Sequence, residues 1–452
     1  MDDEHDPTRA TLFDLPVEPN PRSVEEGLGR PRLQRPDRDQ VELRPTHLDG
    51  LLPADHRARL VWDFVEGLDL SALHARIRAV EGHAGRPPID PAILLALWLY
   101  ATLEGVGSAR ALDRLCGEHD AYRWLCGGVG VNHHTLADFR VDHAEVLDGL
   151  LTASVAALMV DGLVTMERVA QDGLRVRASA GAASFRRRDA LGEALAEAEV
   201  QVRALRAELD DDPAATSRRV TAARERAARE RVERVRGALG QLPAVEAARR
   251  RNGKPAREAR ASTSDPGARV MKMADGGFRP AYNAQLATDT ASQVIVGVDV
   301  TDVGSDHGLL GPMVRQLERR YARAPGAVLV DNGFINLGEI EALSERHPGM
   351  TLYAPPTTPR DPARDPHVPL PDDPPAVAAW RVRMGRPEAT AIYRERASTA
   401  ECVNAIARNR GLRQLPVRGL GKTRAVLLWF ALAHNLMRTV ALRRAVTLAA
   451  GA

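Results

Sequence analysis

The chain has 452 residues, enough for two or three domains with a sizeable core, and its 44% apolar content is that of an ordinary globular protein. Aromatic residues make up only 4%, so Leu, Val and Ala must fill the interior. A net charge of +2 neither demands nor excludes a nucleic-acid partner, while three cysteines without a CxxC pair argue against a disulfide scaffold and for a reducing, cytoplasmic setting.

Residues 1–45 are rich in Pro, Arg and Asp, lack periodicity and read as a flexible tail. No basic-then-apolar leader opens the chain, so no secretory signal is expected. Residues 46–163 carry a helical pattern. Asp90 is a plausible N-cap with Pro91 in the first turn, and Ile93, Leu94, Leu97 and Tyr100 recur behind it. The apolar run Ile93–Leu103 is too short to span a bilayer and reads as a buried core helix, so no membrane partner is expected. Further helices are expected around Ala109–Cys116, Thr135–Phe139 and Glu145–Met159, separated by Gly-bearing breaks at 104–107 and 127–128. Compact helices joined by tight turns suit a helix-turn-helix-like DNA-binding module, though the pattern alone favours a plain helical bundle.

A strand over Arg168–Val176 ends this region. Residues 186–251 are strongly charged and helical. Leu191, Leu195, Ala198, Val202, Leu205 and Leu209 follow 4-3 spacing, Asp210–Pro213 breaks the run, and a second helix resumes at Val220, which predicts an antiparallel helical hairpin inserted into another domain. Strands follow at Ala281–Thr288 and Gln293–Val300, then a helix over His307–Tyr321, a buried strand Ala327–Val330, another helix and a strand Met350–Ala354. Thr357–Pro375 is dense in Pro and Asp and reads as a loop. Thr399–Leu448 reads as helical, with a break at Gly419–Thr423. The alternation is an α/β layer pattern, and residues 164–448 form one such domain with the hairpin as its insertion.

Three acids sit where chemistry could use them. Asp172 ends the first strand, beside Gly173; on local evidence it reads first as a turn Asp-Gly and only second as an acid at a sheet's edge. Asp331 follows the apolar strand Val328–Val330, and ligand sites in open α/β sheets lie beyond the carboxyl ends of strands; Asp-Asn-Gly is also an ordinary turn or cap. Glu401 lies in the basic stretch Arg394–Arg424, which holds eight basic residues against two acids, and could be a surface salt-bridge partner. Glu401, Asn404 and Arg408 fall at i, i+3 and i+7 and so share a helix face, while Arg396 and Arg408 could clamp phosphate oxygens. Carboxylates are the ligands that a hard divalent cation prefers.

Two other patterns lead nowhere. Cys116, His119, Cys126, His133 and His134 lack the spacing of common zinc sites, and Gly419–Thr423 echoes a phosphate loop without its full GxxxxGK[ST] spacing or a preceding strand.

Taken in order, these segments resemble the transposases of bacterial insertion sequences that carry a ribonuclease-H-like Asp-Asp-Glu domain. The branch concerned has a Tyr-x2-Arg-x3-Glu-x6-Lys signature. Here Tyr393, Arg396, Glu401 and Arg408 occupy those positions, with four residues instead of three before the glutamate and Arg in place of Lys. Gln171–Ala178 looks like the first-aspartate strand and Asp331–Phe334 like the second-aspartate segment. Ser264–Pro266 and Tyr282–Gln285 resemble the run into the second strand. Asn409–Arg413 and Ala433–Leu436 resemble the family's C-terminal helices, and Arg86–Pro91 its N-terminal helical domain. The resemblance spans residues 45–440.

It implies a ribonuclease-H-like mixed sheet with helices on both faces, interrupted by a helical hairpin and preceded by an all-α DNA-binding domain. It implies Asp172, Asp331 and Glu401 as catalytic metal ligands for two Mg²⁺ ions, with Mn²⁺ able to substitute, and Tyr393, Arg396, Asn404, Arg408, Arg410 and Arg413 as DNA contacts. The reaction implied is nicking at transposon ends followed by strand transfer into target DNA. The DNA partners would be terminal inverted repeats and target DNA, with a homodimer pairing the two ends. A catalytically silent DNA-binding protein of the same fold, and a nuclease without strand transfer, are the alternative readings.

Overall fold

The computed structural model describes residues 47–79, 87–211 and 218–450. The expected tail at 1–45 lies outside them, as does part of the break expected at Asp210–Pro213.

The chain after His47 begins with short helices. α1 (Arg57–Glu66) and α2 (Ser71–His74) precede α3 (Pro91–Leu103), and α4 (Ala109–Glu118), α5 (Asp120–Cys126), α6 (His133–Asp142) and α7 (Ala144–Val160) follow. The local signals act as expected. Asp90 accepts from the Ala92 N–H at 2.8 Å with Pro91 in the first turn, and α3 is buried nearly all round. Gly105, Gly127 and Gly128 adopt positive φ at the breaks, a conformation that side chains bearing a Cβ resist.

β1 (Arg168–Arg177) opens the sheet. After β2 (Phe185–Arg186) comes the hairpin of α8 (Arg188–Asp211) and α9 (Arg218–Arg251). Ion pairs Arg188–Glu246, Arg231–Glu197 and Arg206–Glu225 run in opposite directions along the two helices, so they are antiparallel. Leu191, Ala194, Val235, Ala238 and Leu242 form the hairpin's own small core. β3 (Ala261–Ser262) pairs with β2 and closes the insertion at its base. β4 (Arg269–Lys272), β5 (Phe278–Asp289) and β6 (Ile295–Thr301) follow, then α10 (Leu310–Tyr321), β7 (Ala327–Leu329), α11 (Leu337–Arg346) and β8 (Thr351–Tyr353).

The six-stranded sheet is mixed. β5 lies antiparallel to β1 on one side and to β4 and β6 on the other; β1 is parallel to β7, and β7 to β8. The order through the centre is therefore β6-β5-β1-β7-β8.

The chain ends in α12 (Pro375–Met384), α13 (Pro387–Arg396), a π-turn at Ala397–Glu401, α14 (Cys402–Asn409) and α15 (Leu420–Ala450). Two details differ from expectation. α12 and α13 add two helices between the Pro-rich loop and Thr399. The break expected at Gly419–Thr423 falls earlier, at 410–419, because Gly411 and Gly419 take positive φ on either side of Pro416 and α15 starts at Leu420.

α15 is long and apolar, and it joins the two halves of the protein. It packs against α3, α6 and α7 on one side and β6 on the other, inside one continuous core running from Leu52 to Leu436. Asp148 on α7 pairs with Arg320 of α10 and with Arg424 of α15 at 2.9 Å. Asn435 donates to the Ile295 carbonyl and accepts from its N–H, both at 2.8 Å, and Gln316 does the same for Val298 at 3.0 Å. Each amide thus satisfies a donor and an acceptor of β6 that have no strand partner.

Two stability predictions follow from this packing. Asn435→Leu orphans two buried backbone groups, and should destabilise the fold by about 2–4 kcal/mol in chemical unfolding. Burial holds His434 down at about 4, against a usual 6.5. The unfolded chain therefore takes up a proton that the folded chain refuses, so this stability is present above about pH 6.5 and is lost as pH falls towards 4. Between about pH 7 and pH 5 the wild type should lose about 2 kcal/mol more than His434→Gln, read from unfolding midpoints at the two pH values.

Candidate functional site

Strand pairing brings two of the three acids together. β1 and β7 run parallel with Ala170 opposite Leu329. Strand side chains alternate between faces, so the residues two further on, Asp172 and Asp331, emerge side by side from the same face. The third acid arrives from above. Ala400, in the π-turn, packs on Ala170 and Leu329, and Glu401 is the next residue.

The three converge on Arg396, at the end of α13. Its Nη2 lies 2.9 Å from Asp172 Oδ1 and 3.8 Å from Asp331 Oδ2, and its Nη1 lies 3.4 Å from Glu401 Oε1. Exposure rises across the group: side chains of Arg396 and Asp172 are 11% and 15% exposed, Asp331 41% and Glu401 62%. The site thus has a buried floor and an open lip.

Asp172 is held on every side. Its Oδ1 also accepts from the Gly173 N–H at 3.0 Å, and its Oδ2 accepts from Asn404 Nδ2 at 2.8 Å. Burial pushes its carboxyl above the usual range and Arg396 opposes that, while the charge of Asp331 adds to it. Asp331 does two jobs. Oδ1 accepts from the Gly333 N–H at 2.8 Å and caps the short turn Asn332–Phe334, as in an ordinary Asp-Asn-Gly turn, and Oδ2 faces Arg396. Tyr393 is half-buried beside the group; burial raises its phenol, Arg396 opposes, and the three carboxylates add to the rise.

Four residues separate Arg396 from Glu401, and the chain winds them as a π-turn, which takes up one residue more than an α-turn. The Ser398 and Thr399 hydroxyls donate to the Glu395 carbonyl at 3.0 and 2.8 Å. Glu395 also accepts from Arg168 at 2.9 Å and from Thr290 at 3.1 Å, tying the end of α13 to the start of β1.

The expected DNA contacts separate into two sets. Tyr393, Arg396 and Asn404 face the carboxylates; Arg408 and Arg413 are exposed, and Arg410 is half-buried away from the three acids. Arg396 is spent on carboxylates, where the sequence suggested phosphate.

Behind the sheet lies a polar layer that sequence reasoning did not connect to the site. Asp306 accepts from Asn283 at 2.7 Å, Gln285 at 2.8 Å and Arg175 at 2.6 Å, and Gln171 donates to Gln285 at 2.9 Å. Gly173 lies against this layer: a Cβ there would overlap Asp306, Gln285 and Asn283. The signal was the polar Asn283 and Gln285 alternating with the apolar Ala284 and Leu286.

Carboxylate oxygens suit a hard divalent cation. Among the described residues no three acidic, His or Cys side chains are gathered around a single ion-sized point. The three acids fit such an ion in donor chemistry and in facing one positive centre, and the cation between them is the Arg396 guanidinium.

Residues 46–142 match the family "Transposase domain (DUF772)", and residues 375–440, which include Arg396 and Glu401, match the family "Transposase DDE domain". Both matched segments are transposase segments, and together they support an insertion-sequence DDE transposase. No curated protein and no solved structure matches it. Asp172 and Asp331 lie in the stretch between the two matched segments.

Gly173→Ala should push β1 off the polar layer, destabilise the protein by about 1–3 kcal/mol and displace Asp172, seen as a lowered unfolding midpoint in a chain that still folds.

Proposed function

We propose that the protein is an active transposase that cleaves DNA at transposon ends and joins the freed 3′ end to target DNA. The observation that carries this is the meeting of Asp172, Asp331 and Glu401 around one buried cation at the lip of the sheet, in a chain whose residues 375–440 match the DDE domain. The strand order β6-β5-β1-β7-β8, with β5 antiparallel to its neighbours, supports a ribonuclease-H-like domain over residues 164–448 with the hairpin as its insertion. Residues 46–163 are proposed as the DNA-binding region.

Asp172, Asp331 and Glu401 would hold Mg²⁺ or Mn²⁺. Two such ions, when bound, supply activation of the attacking oxygen and stabilisation of the leaving oxygen. The rest falls to the protein. Asn404 and the Gly173 N–H fix the orientation of Asp172. Arg396 balances the carboxylate charge and fixes the spacing of the acids. Glu401, on the exposed lip, meets the DNA from the helix side. Arg394, Arg408 and Arg413 are exposed nearby in sequence and suit contacts to backbone phosphates. A homodimer pairing both ends, and work in the cytoplasm at the nucleoid, complete the reading.

Asp331→Asn tests it. Asn keeps an oxygen for the Gly333 N–H, so the turn should survive. The variant should lose nicking of DNA carrying the element's own ends by at least about a thousandfold, with DNA affinity by fluorescence anisotropy unchanged. Nicking within a few-fold of wild type would sink the proposal. A joining assay on the same DNA separates a transposase from a nuclease that only cuts.

A further inference from the structure

Where the helical region meets the end of α14 there is a partly open cavity of about 100 Å³. Trp98, Gly107 and Arg140 line it from the helical region, and Arg410, Trp429 and Phe430 from the C-terminal part.

Two guanidinium groups reach this cavity, and among the described residues neither has a carboxylate partner. Arg140 is only 8% exposed. It donates to the Gly107 carbonyl and lies 4.8 Å above the Trp98 ring centre, but its Nε is buried with no partner. Arg410 Nη1 is likewise buried without a partner. Glu104, whose charge acts on Arg410, is engaged by Arg57 at 2.8 Å. Burial holds Arg140 down to about 10 and moves Arg410 in the same direction.

Burying a charge without a counter-charge is costly, and here two like charges share one aromatic-walled space. Low dielectric strengthens whatever anion enters. The planar fork of Arg matches the oxygens of a phosphate. We propose that Arg140 and Arg410 form a phosphate-binding pocket, separate from the carboxylate site, that takes one backbone phosphate of the DNA. The phosphate chemistry stands on the cavity; its assignment to DNA rests on the transposase reading. α14 connects the two sites. From Glu401 to Arg410 is roughly 13 Å of helix, or about four nucleotides along a duplex axis. The pocket would thus grip the DNA a few nucleotides from the cut and couple the helical region to the active site.

The test has two arms, both on the full chain. In the first, inorganic phosphate replaces chloride at equal ionic strength. It should raise the thermal midpoint of the wild type but not of Arg410→Met. In the second, a short duplex is titrated across a range of salt. Arg410→Met should bind it about five- to tenfold more weakly, with a salt slope shallower by about one unit. Arg410→Gln serves if the Met variant does not fold, as judged by circular dichroism. A phosphate response with an unchanged DNA slope keeps the pocket and makes free phosphate its ligand. No phosphate response and no change in slope overturns the proposal and leaves both arginines as packing residues. A wild type that binds no duplex at all counts against the transposase reading, and the phosphate arm still decides the pocket.

Discussion

Arg396 and Asp172 meet at 2.9 Å across 224 residues of sequence, and the candidate site is built around that ion pair. Three carboxylates repel one another, and such a group holds together only around positive charge. Here the charge comes from a side chain at the end of a helix, anchored below by Glu395 and its bonds to β1 and the β5–β6 turn. The in-register parallel pairing of β1 with β7 does the rest, by delivering Asp172 and Asp331 to one face. The buried polar layer behind Gly173 keeps that strand from shifting.

Features governed by local chemistry were readable in advance. Asp90 and Pro91 start their helix, the Gly-bearing breaks fall between helices, and the 4-3 spacing from Leu191 gives one arm of an antiparallel hairpin. The apolar strand before Asp331 was equally plain. The strands β2, β3 and β4 were not, because pairs of two and four residues carry too little periodicity. α12 was hidden because it starts at Pro375, within the stretch whose prolines read as loop.

The site was legible in its acids and obscure in its geometry. Asp172 looked like a turn residue because its partners, Asn404 and Arg396, are more than two hundred residues away. The four residues between Arg396 and Glu401 looked like a departure in spacing, and only the structure reveals that the backbone winds them as a π-turn. Arg396 and Arg410 looked alike as members of one basic stretch. One is surrounded by carboxylates and the other faces an aromatic cavity, a difference set wholly by tertiary packing.

The amides of Asn435 and Gln316 have a consequence for assembly. They occupy the outward-facing hydrogen-bonding groups of β6 at Ile295 and Val298, and the Val296 carbonyl is taken by Arg320 and Tyr321. An edge strand left open is a template for another chain. With this edge sealed by side chains, two copies of the chain cannot fuse their sheets along β6. Contact between copies of the chain is left to other surfaces, such as the helices and the inserted hairpin, which can separate again without unzipping a sheet.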